Sequence, residues 1–461
     1  MLTQKETALA TRGDLHTYDP EASFSGVSID SRKIKLGQAF FAIKGERFDG
    51  HDFLHEAEDA GATLVVVQKG VNFSHTDQTA VLKVQDTRRA LGLLAQYWRR
   101  KIAPKVVAIT GSMGKTTTKE LVRQILQEQG VTHFNPGNFN NDIGLPLTML
   151  SMPVKTQYLV TELGMNGPNE IFRLAALAEP DIGVILNVAP VHLEGLGSIE
   201  AIAKAKAELL QAISPEGKAI VPVDEPLLEP YTKSLRVDQI VTFGKSALAD
   251  VRIISVQSRG QKGSTVEMNL RGTTIKYDFG LPGKHNVENA AAAAAVGLTL
   301  GVLPDAIARA LEKSPKLSHR SIVRQIGKLQ VLDDCYNANP EAMKIALDTI
   351  MELAAGDGAI AILGTMLELG EKSEHYHLEV GRYVASLGLK ALVVVGKEAQ
   401  PIAKGAQQAG LAKQKIFEAT DAKEAARIGA RETKPGGWIL VKGSRGAHLE
   451  HVIDALIEDN C

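Results

Sequence analysis

From about residue 104 onward, short apolar runs alternate with stretches whose apolar residues recur at helical spacing. The runs VVAIT, YLVTEL and IGVILNV read as buried parallel strands, since a strand covered on both faces needs no polar alternation. Helical patterns at 115–129, 169–178 and 199–213 fall between and after them. The second half repeats the scheme: LQVLDD, AIAILG, ALVVVG and WILVKG are each followed by a helical stretch. Such alternation predicts strand–helix–strand units with helices on both faces of a mostly parallel sheet. Residues 251–279 differ, because apolar and polar residues alternate there with Gly breaks, which predicts antiparallel strands. The first hundred or so residues form a smaller mixed unit rich in Gly and charge. KIAPK at 101–105 and KSPKLSHR at 313–320 read as linkers. The expectation is an α/β chain of three domains, 1–102, 103–315 and 316–461. The first is a small mixed α/β unit and the second a mostly parallel sheet with an added antiparallel sheet. The third is a Rossmann-like unit.

The run VVAIT leads directly into GSMGKTTTKELV, a Gly-rich turn followed by a helix. Backbone N–H groups at a helix start, with the helix dipole behind them, favour an anion. Gly111 and Gly114 let the backbone approach phosphate, Lys115 would reach the outer phosphates, and Thr116 would sit on Mg²⁺. The pattern departs from the usual phosphate loop, because Ile109 stands where its first glycine belongs. In YLVTE, Glu162 falls at the C-terminal end of its strand, the edge where ligands collect in open parallel sheets and where a carboxylate can hold Mg²⁺. His192 follows the next strand at the same edge, where a neutral imidazole could ligate a metal.

The helix at 199–213 is the most informative. Ile202, Lys206, Leu209 and Ile213 share its apolar face, while Lys204, Glu208 and Gln211 share the polar one, which predicts a solvated Lys204–Glu208 pair. A free lysine has a pKa of about 10.4, so roughly one in 2,500 is neutral at pH 7. Burial lowers that pKa, and a neutral amine can take up CO₂ to give a carbamate able to hold a second Mg²⁺. Plain packing or outward snorkelling of Lys206 is the competing reading.

Bulk properties narrow the field only slightly. The 461 residues are 44% hydrophobic and 23% charged with net charge -1, so no basic field points to nucleic acid. Two cysteines, Cys335 and Cys461, make no disulfide framework. The N-terminus has no apolar signal region, and the Ala-rich run at 290–303 is shorter than the roughly 20 residues of a membrane span. A cytoplasmic monomer is expected.

Taken together, SIDSRKIKLGQAFFAIKGERFDGHDF, TGSMGKTTT, GNFNNDIGLPLTML, TELGMNGPNEI, NVAPVHLEGLGS and IAKAKAE resemble the Mur ligase family. GKHNVENAAAAAA, DDCYNANPEAM, ILGTMLELGEKSEHYH and VKGSRGAHLE extend the resemblance to nearly the whole chain. GNFNNDIG, DCYNANP and LGTMLELG resemble the branch that adds D-alanyl-D-alanine to UDP-N-acetylmuramoyl-tripeptide. The resemblance implies a central domain of the P-loop ATPase type and an ATP-dependent amide ligase working through an acyl phosphate. It implies two Mg²⁺ ions and a CO₂-derived carbamate on Lys206. Lys115, Lys206, His192 and Glu162 would be catalytic, with Thr116, Glu162, His192 and Lys206 serving the metals. Gly111, Ser112, Gly114, Lys115, Thr116 and Thr117 would cradle the phosphates, Asn286 and Asn289 the adenine side, and Arg320, Asp334 and Tyr336 would reach the nucleotide from the third domain. Asn138, Asn140 and Asn141 would meet substrate, and Ser31 and Arg32 the uridine diphosphate. Two departures stand out: Met113 where the family has Asn, and His319 where it has Gly. A ligase for another amine (diaminopimelate or lysine), a folylpolyglutamate synthetase-like ligase and a P-loop NTPase without ligase activity remain alternatives.

Overall fold

The computed structural model describes residues 1–459 apart from 75, 77, 316 and 357, so Cys461 lies outside the described residues. Three large sheets follow one another along the chain. The first has five strands in the order Asp14–His16, Ala80–Val84, Leu64–Gln68, Ala39–Phe41, Val27–Ser28. Only the Asp14–His16 edge is antiparallel.

The second sheet has nine strands. Its parallel part places Ile182–Ile185, Lys105–Thr110 and Tyr158–Glu162 side by side. These strands are buried throughout apart from the entry residues Lys105 and Tyr158, as their unbroken apolar runs predict. Because neighbouring parallel strands end at the same edge, the loops after all three open onto one place. The strands Val251–Ser258, Ser264–Leu270 and Thr273–Phe279 are antiparallel, as their alternation predicts, and bury every second residue along Ser264–Leu270. They form no detached sheet but continue the parallel one, through pairing of Ile240–Gly244 with Val251–Ser258.

Against this sheet lies the helix Lys284–Thr299. Its residues Ala290 to Ala295 are all fully buried, which explains how an apolar run too short to span a membrane is used. No helix among the described residues is long and apolar enough to cross a membrane. With only methyl groups in the way, the helix sits tightly on Lys115–Gln127, and a Cβ on Gly297 would come within 2.5 Å of Ile125.

The third sheet has six strands, with Leu329–Asp333, Trp438–Lys442, Ala359–Leu363, Ala391–Val395 and Ile416–Ala419 parallel and Ile322–Ile326 an antiparallel edge.

Two local expectations are corrected. KIAPK is not a free linker: the helix Thr87–Ile102 runs into it, and Ala103 caps that helix in the left-handed conformation. Arg99 donates to the carbonyls of Ala178 (3.0 Å) and Glu179 (2.8 Å), which end the helix Glu170–Ala178. Arg100 also pairs with Glu179, so the first unit is braced against the second, whose own first strand is tied down where Lys105 pairs with Asp181 at 3.0 Å. Nor does Glu208 pair with the exposed Lys204. It is buried, and its carboxylate accepts from the amides of Asn169 (2.7 Å) and Phe172 (3.1 Å), capping the helix Glu170–Ala178.

Candidate functional site

A cleft of about 1770 Å³ opens at the shared sheet edge and is lined by all three units. The phosphate loop forms its floor. Gly114 has φ +81°, and a Cβ there would come within 2.2 Å of Asn289 Oδ1, so the position requires glycine on both counts. Lys115 folds back over the loop and donates to the Gly111 carbonyl at 2.7 Å. Ser112 is a tether: its hydroxyl donates to the Ala189 carbonyl (3.0 Å) and accepts from the Ala189 amide (2.9 Å). Thr117 is buried beneath the loop. The Met113 departure is absorbed by the backbone. Asn187 Oδ1 accepts from the Met113 amide at 2.9 Å, and its Nδ2 donates to the Met113 carbonyl at 3.2 Å. The loop is therefore held without any polar atom from side chain 113.

Glu162 stands beside this loop, at the strand end where the sequence puts it. Its Oε2 accepts from the Thr116 hydroxyl (2.7 Å) and its Oε1 from Asn140 Nδ2 (2.9 Å). Burial alone would raise the carboxyl's pKa. The charges of Lys115 and Arg320, with the two donors, outweigh it and hold the pKa below the ordinary value. Asn135, which the sequence reading passed over, accepts from the Glu162 amide (2.9 Å) and donates to the Phe139 carbonyl (3.1 Å). The buried Lys119 fixes Asn135 in turn, donating to its carbonyl at 2.6 Å. Asn138, Asn140 and Asn141 all line the cleft, but Asn141 Oδ1 is occupied by the Gly144 amide (2.8 Å) at the start of the helix Gly144–Leu150.

Lys206 is 1% exposed and lines the same cleft. Among the described residues no carboxylate is paired with it. Burial, and secondarily the nearby Lys115 charge, push its pKa well below the usual lysine value, which favours a neutral, nucleophilic amine. Burial likewise lowers Lys115. His192 sits in the left-handed region (φ +52°), with Nδ1 2.5 Å from Glu368 Oε2 of the third unit, although the contact is off-line for a hydrogen bond. Glu368 was not anticipated from sequence.

On the opposite wall, Asn286 donates to the Pro282 carbonyl (2.8 Å) and Asn289 to Asn286 Oδ1 (3.2 Å). His285, also unanticipated, has a buried Nδ1 without a partner, and burial lowers its pKa so that it stays neutral. From the third unit, the Arg320 guanidinium stacks 3.9 Å from the Tyr336 ring centre. Asp334 accepts from the Ser321 amide (2.9 Å) and pairs with Lys442 at 2.5 Å. Ser31 and Arg32 do not line this cleft. Ser31 donates to Glu56 (3.3 Å), and the exposed Arg32 pairs with Asp30 at 2.8 Å.

The arrangement can cradle a triphosphate, hold divalent cations on oxygen donors and keep an uncharged amine beside them. A polar residue leaving a strand next to the phosphate-loop strand is the signal that would have flagged Asn187.

Three family models match: Mur ligase family, catalytic domain, over residues 23–99; Mur ligase middle domain over 109–297; and Mur ligase, glutamate ligase domain over 319–445. The UDP-N-acetylmuramoyl-tripeptide–D-alanyl-D-alanine ligase of Bacillus subtilis is 35% identical over 99% of this chain and 98% of its own length. The MurF crystal structure from Acinetobacter baumannii superposes with a TM-score of 0.90 at 32% identity, covering 99% of this chain and 98% of that one. The MurF ligase of Thermotoga maritima in complex with ADP superposes at 0.84 with 29% identity, covering 94% and 97%. With all three of its sheets matched and a relative aligned from end to end, the chain belongs to the Mur ligase family.

Proposed function

We propose that the chain is the ATP-dependent ligase that joins D-alanyl-D-alanine to UDP-N-acetylmuramoyl-tripeptide. The products would be UDP-N-acetylmuramoyl-pentapeptide, ADP and phosphate, in cytoplasmic peptidoglycan precursor synthesis. The carrying observation is that the phosphate loop, Glu162, His192, Lys206 and Arg320 all line one cleft. End-to-end similarity to a relative of that name supports the choice of substrates. Residues 1–102 hold the nucleotide-sugar end through Ser31 and Arg32, 103–315 bind ATP, and 316–461 bring the dipeptide and close over the nucleotide. Every group comes from one chain, which supports a monomeric enzyme acting on small molecules.

A carboxylate is a poor electrophile, and ATP corrects this. The substrate carboxylate oxygen attacks the γ-phosphorus, the β–γ bridging bond breaks, and ADP leaves an acyl phosphate. Lys115 neutralises the phosphates, whose charge in turn keeps its ammonium protonated; helix Lys115–Gln127 adds its N-terminal dipole. The dipeptide amine then attacks the acyl carbon, and the tetrahedral intermediate collapses to an amide and phosphate. Arg320 and Tyr336 fold over the nucleotide and exclude the water that would hydrolyse the acyl phosphate. The donor set fits the family's metal ions. Thr116 and Glu162 present oxygens side by side, as Mg²⁺ prefers, and the buried Lys206 amine is suited to carbamate formation. Thr116, Glu162, His192 and carbamylated Lys206 would hold Mg²⁺, which when bound offsets the charge developing on phosphate and carbonyl oxygens.

Phosphate release with UDP-N-acetylmuramoyl-tripeptide and D-alanyl-D-alanine tests the reading, with diaminopimelate and lysine as control amines. Release should require the tripeptide and the dipeptide together, and Lys206→Ala should lose most of it without rescue by bicarbonate. Release without a carboxylate acceptor would instead mean a nucleotidase.

A further inference from the structure

Three side chains left unused by the ligase reading converge in the third unit. His319 immediately precedes Arg320, Asp333 ends the strand Leu329–Asp333, and Cys335 lies two residues beyond. His319 Nδ1 is 3.1 Å from Asp333 Oδ1, Cys335 Sγ is 3.2 Å from that same oxygen, and the sulfur and nitrogen are 3.6 Å apart. Among the described residues this is the one trio of His, Cys, Asp or Glu side chains whose ligating atoms come together in this way. We propose that His319, Asp333 and Cys335 form a site for a borderline-soft divalent transition metal of the Zn²⁺ class.

The geometry is close to what such an ion needs. With metal–nitrogen and metal–oxygen bonds near 2.0 Å and metal–sulfur near 2.3 Å, tetrahedral ligand atoms lie about 3.3–3.6 Å apart. The observed triangle needs to open by only a few tenths of an ångström. The nitrogen–oxygen–sulfur donor set suits Zn²⁺ and not Mg²⁺, which takes oxygen ligands. Arg324 Nε donates to Asp333 Oδ2 at 2.8 Å and so orients the carboxylate, with Oδ1 toward Cys335 and His319 Nδ1 within reach of both oxygens, 3.0 Å from Oδ2. Asp333 and Cys335 are fully buried and already dehydrated. His319, with a quarter of its side chain exposed, gives an entry path and room for a water as fourth ligand. Burial and the adjacent Asp333 keep the empty-site thiol protonated. On binding, the S–H bond breaks and its proton goes to solvent, while the sulfur and the Nδ1 lone pair form metal bonds and the imidazole keeps its proton on Nε2. Nothing is oxidised. Two ligand charges balance the ion, and Arg324 stays paired with the outer carboxylate oxygen.

Position gives the site a consequence. The Tyr336 amide donates to the His319 carbonyl at 3.1 Å, and Ser321 donates to Asp334 at 2.9 Å. A metal here would staple the turn carrying Arg320 to the strand end carrying Asp334 and Tyr336. Only this consequence, not the binding, rests on the ligase reading.

Co²⁺ added to the full-length protein in excess Mg²⁺ tests the proposal. One equivalent should give the visible bands of a tetrahedral ion and a thiolate-to-cobalt charge-transfer absorption, both removed by Zn²⁺. Cys461→Ser should keep that absorption and Cys335→Ser should lose it. Cys335→Ser and His319→Ala, the latter at the more exposed ligand, should each bind Zn²⁺ at least about tenfold more weakly. Exchange of the Ser321 and Tyr336 amides should slow with Zn²⁺ in the unmodified protein and not in Cys335→Ser. No charge-transfer band in the unmodified protein, or a band that survives Cys335→Ser, overturns the site. Unchanged amide exchange at full occupancy overturns the staple.

Discussion

Replacing Asn187 by Ala removes two hydrogen bonds from the phosphate loop, one accepted from the Met113 amide at 2.9 Å and one donated to its carbonyl at 3.2 Å. Each is worth about 0.5–1.5 kcal/mol net, so the loop loses about 1–3 kcal/mol of local order. The nucleotide must restore that order when it binds. The ADP Kd and the ATP KM should therefore rise together by roughly 5-fold to 150-fold, since each 1.4 kcal/mol is a factor of about ten. The turnover number should fall less, because Lys115 and Glu162 are untouched once ATP is seated. Asn187→Asp keeps the acceptor but loses the donor and sets a carboxylate beside the phosphates, so it should bind no better than the Ala variant. Calorimetry with ADP and saturation curves in ATP read both effects, and a thermal melt checks the fold. If Asn187→Ala binds ADP within about twofold of the unmodified protein, the loop is not organised through this side chain.

Gly114→Ala should nearly abolish ADP binding, because φ +81° costs a non-glycine residue about 1–2 kcal/mol and its Cβ would strike Asn289 Oδ1. Adding Asn289→Ala should recover binding only in part, as measured by calorimetry, and full recovery would show that the backbone angle is unimportant. Glu208→Ala should destabilise the chain by about 1–2 kcal/mol in urea unfolding through loss of the helix cap, whereas Lys204→Ala should stay within about 0.5 kcal/mol. Equal effects of the two would restore the ion-pair reading. Lys206 is neutral more readily in the folded than in the unfolded chain, because burial and Lys115 lower its pKa. The resulting penalty is complete below the folded pKa, shrinks as pH rises, and vanishes above the unfolded value of about 10.4. In CO₂-free buffer, stability should therefore climb with pH through that window. Lys206→Met should be more stable near neutrality and lack this part of the slope, while activity is lost; identical urea midpoints at each pH would contradict it.

The legible parts of the site are those written in contiguous sequence. The phosphate loop is one short segment between an apolar strand and a helix, Glu162 is the last residue of a strand, and Lys206 stands out on a helical wheel. What was not legible depends on which strands become neighbours. Asn187 meets a residue 74 positions away and Asn135 one 27 positions away. The first contact exists because Ile182–Ile185 pairs with Lys105–Thr110, the second because Thr132–Phe134 pairs with Tyr158–Glu162, an order that periodicity does not encode. The helical wheel puts Glu208 with the exposed Lys204 on the polar face but carries no information about a second helix end arriving there, which buries Glu208 and takes its carboxylate. The bracing beside 101–105 is not legible locally, because the partners of Arg99 and Arg100 lie about 80 residues downstream.

The six consecutive alanines at 290–295 have a thermodynamic consequence. Ordering a side chain costs up to roughly 2 kcal/mol for long residues and nothing for alanine. The helix that presents Asn286 and Asn289 is thus immobilised against its neighbours almost free of rotamer entropy. Because those methyl groups have no alternative rotamers, the wall of the cleft that Asn286 and Asn289 line rests on a foundation with few ways to rearrange.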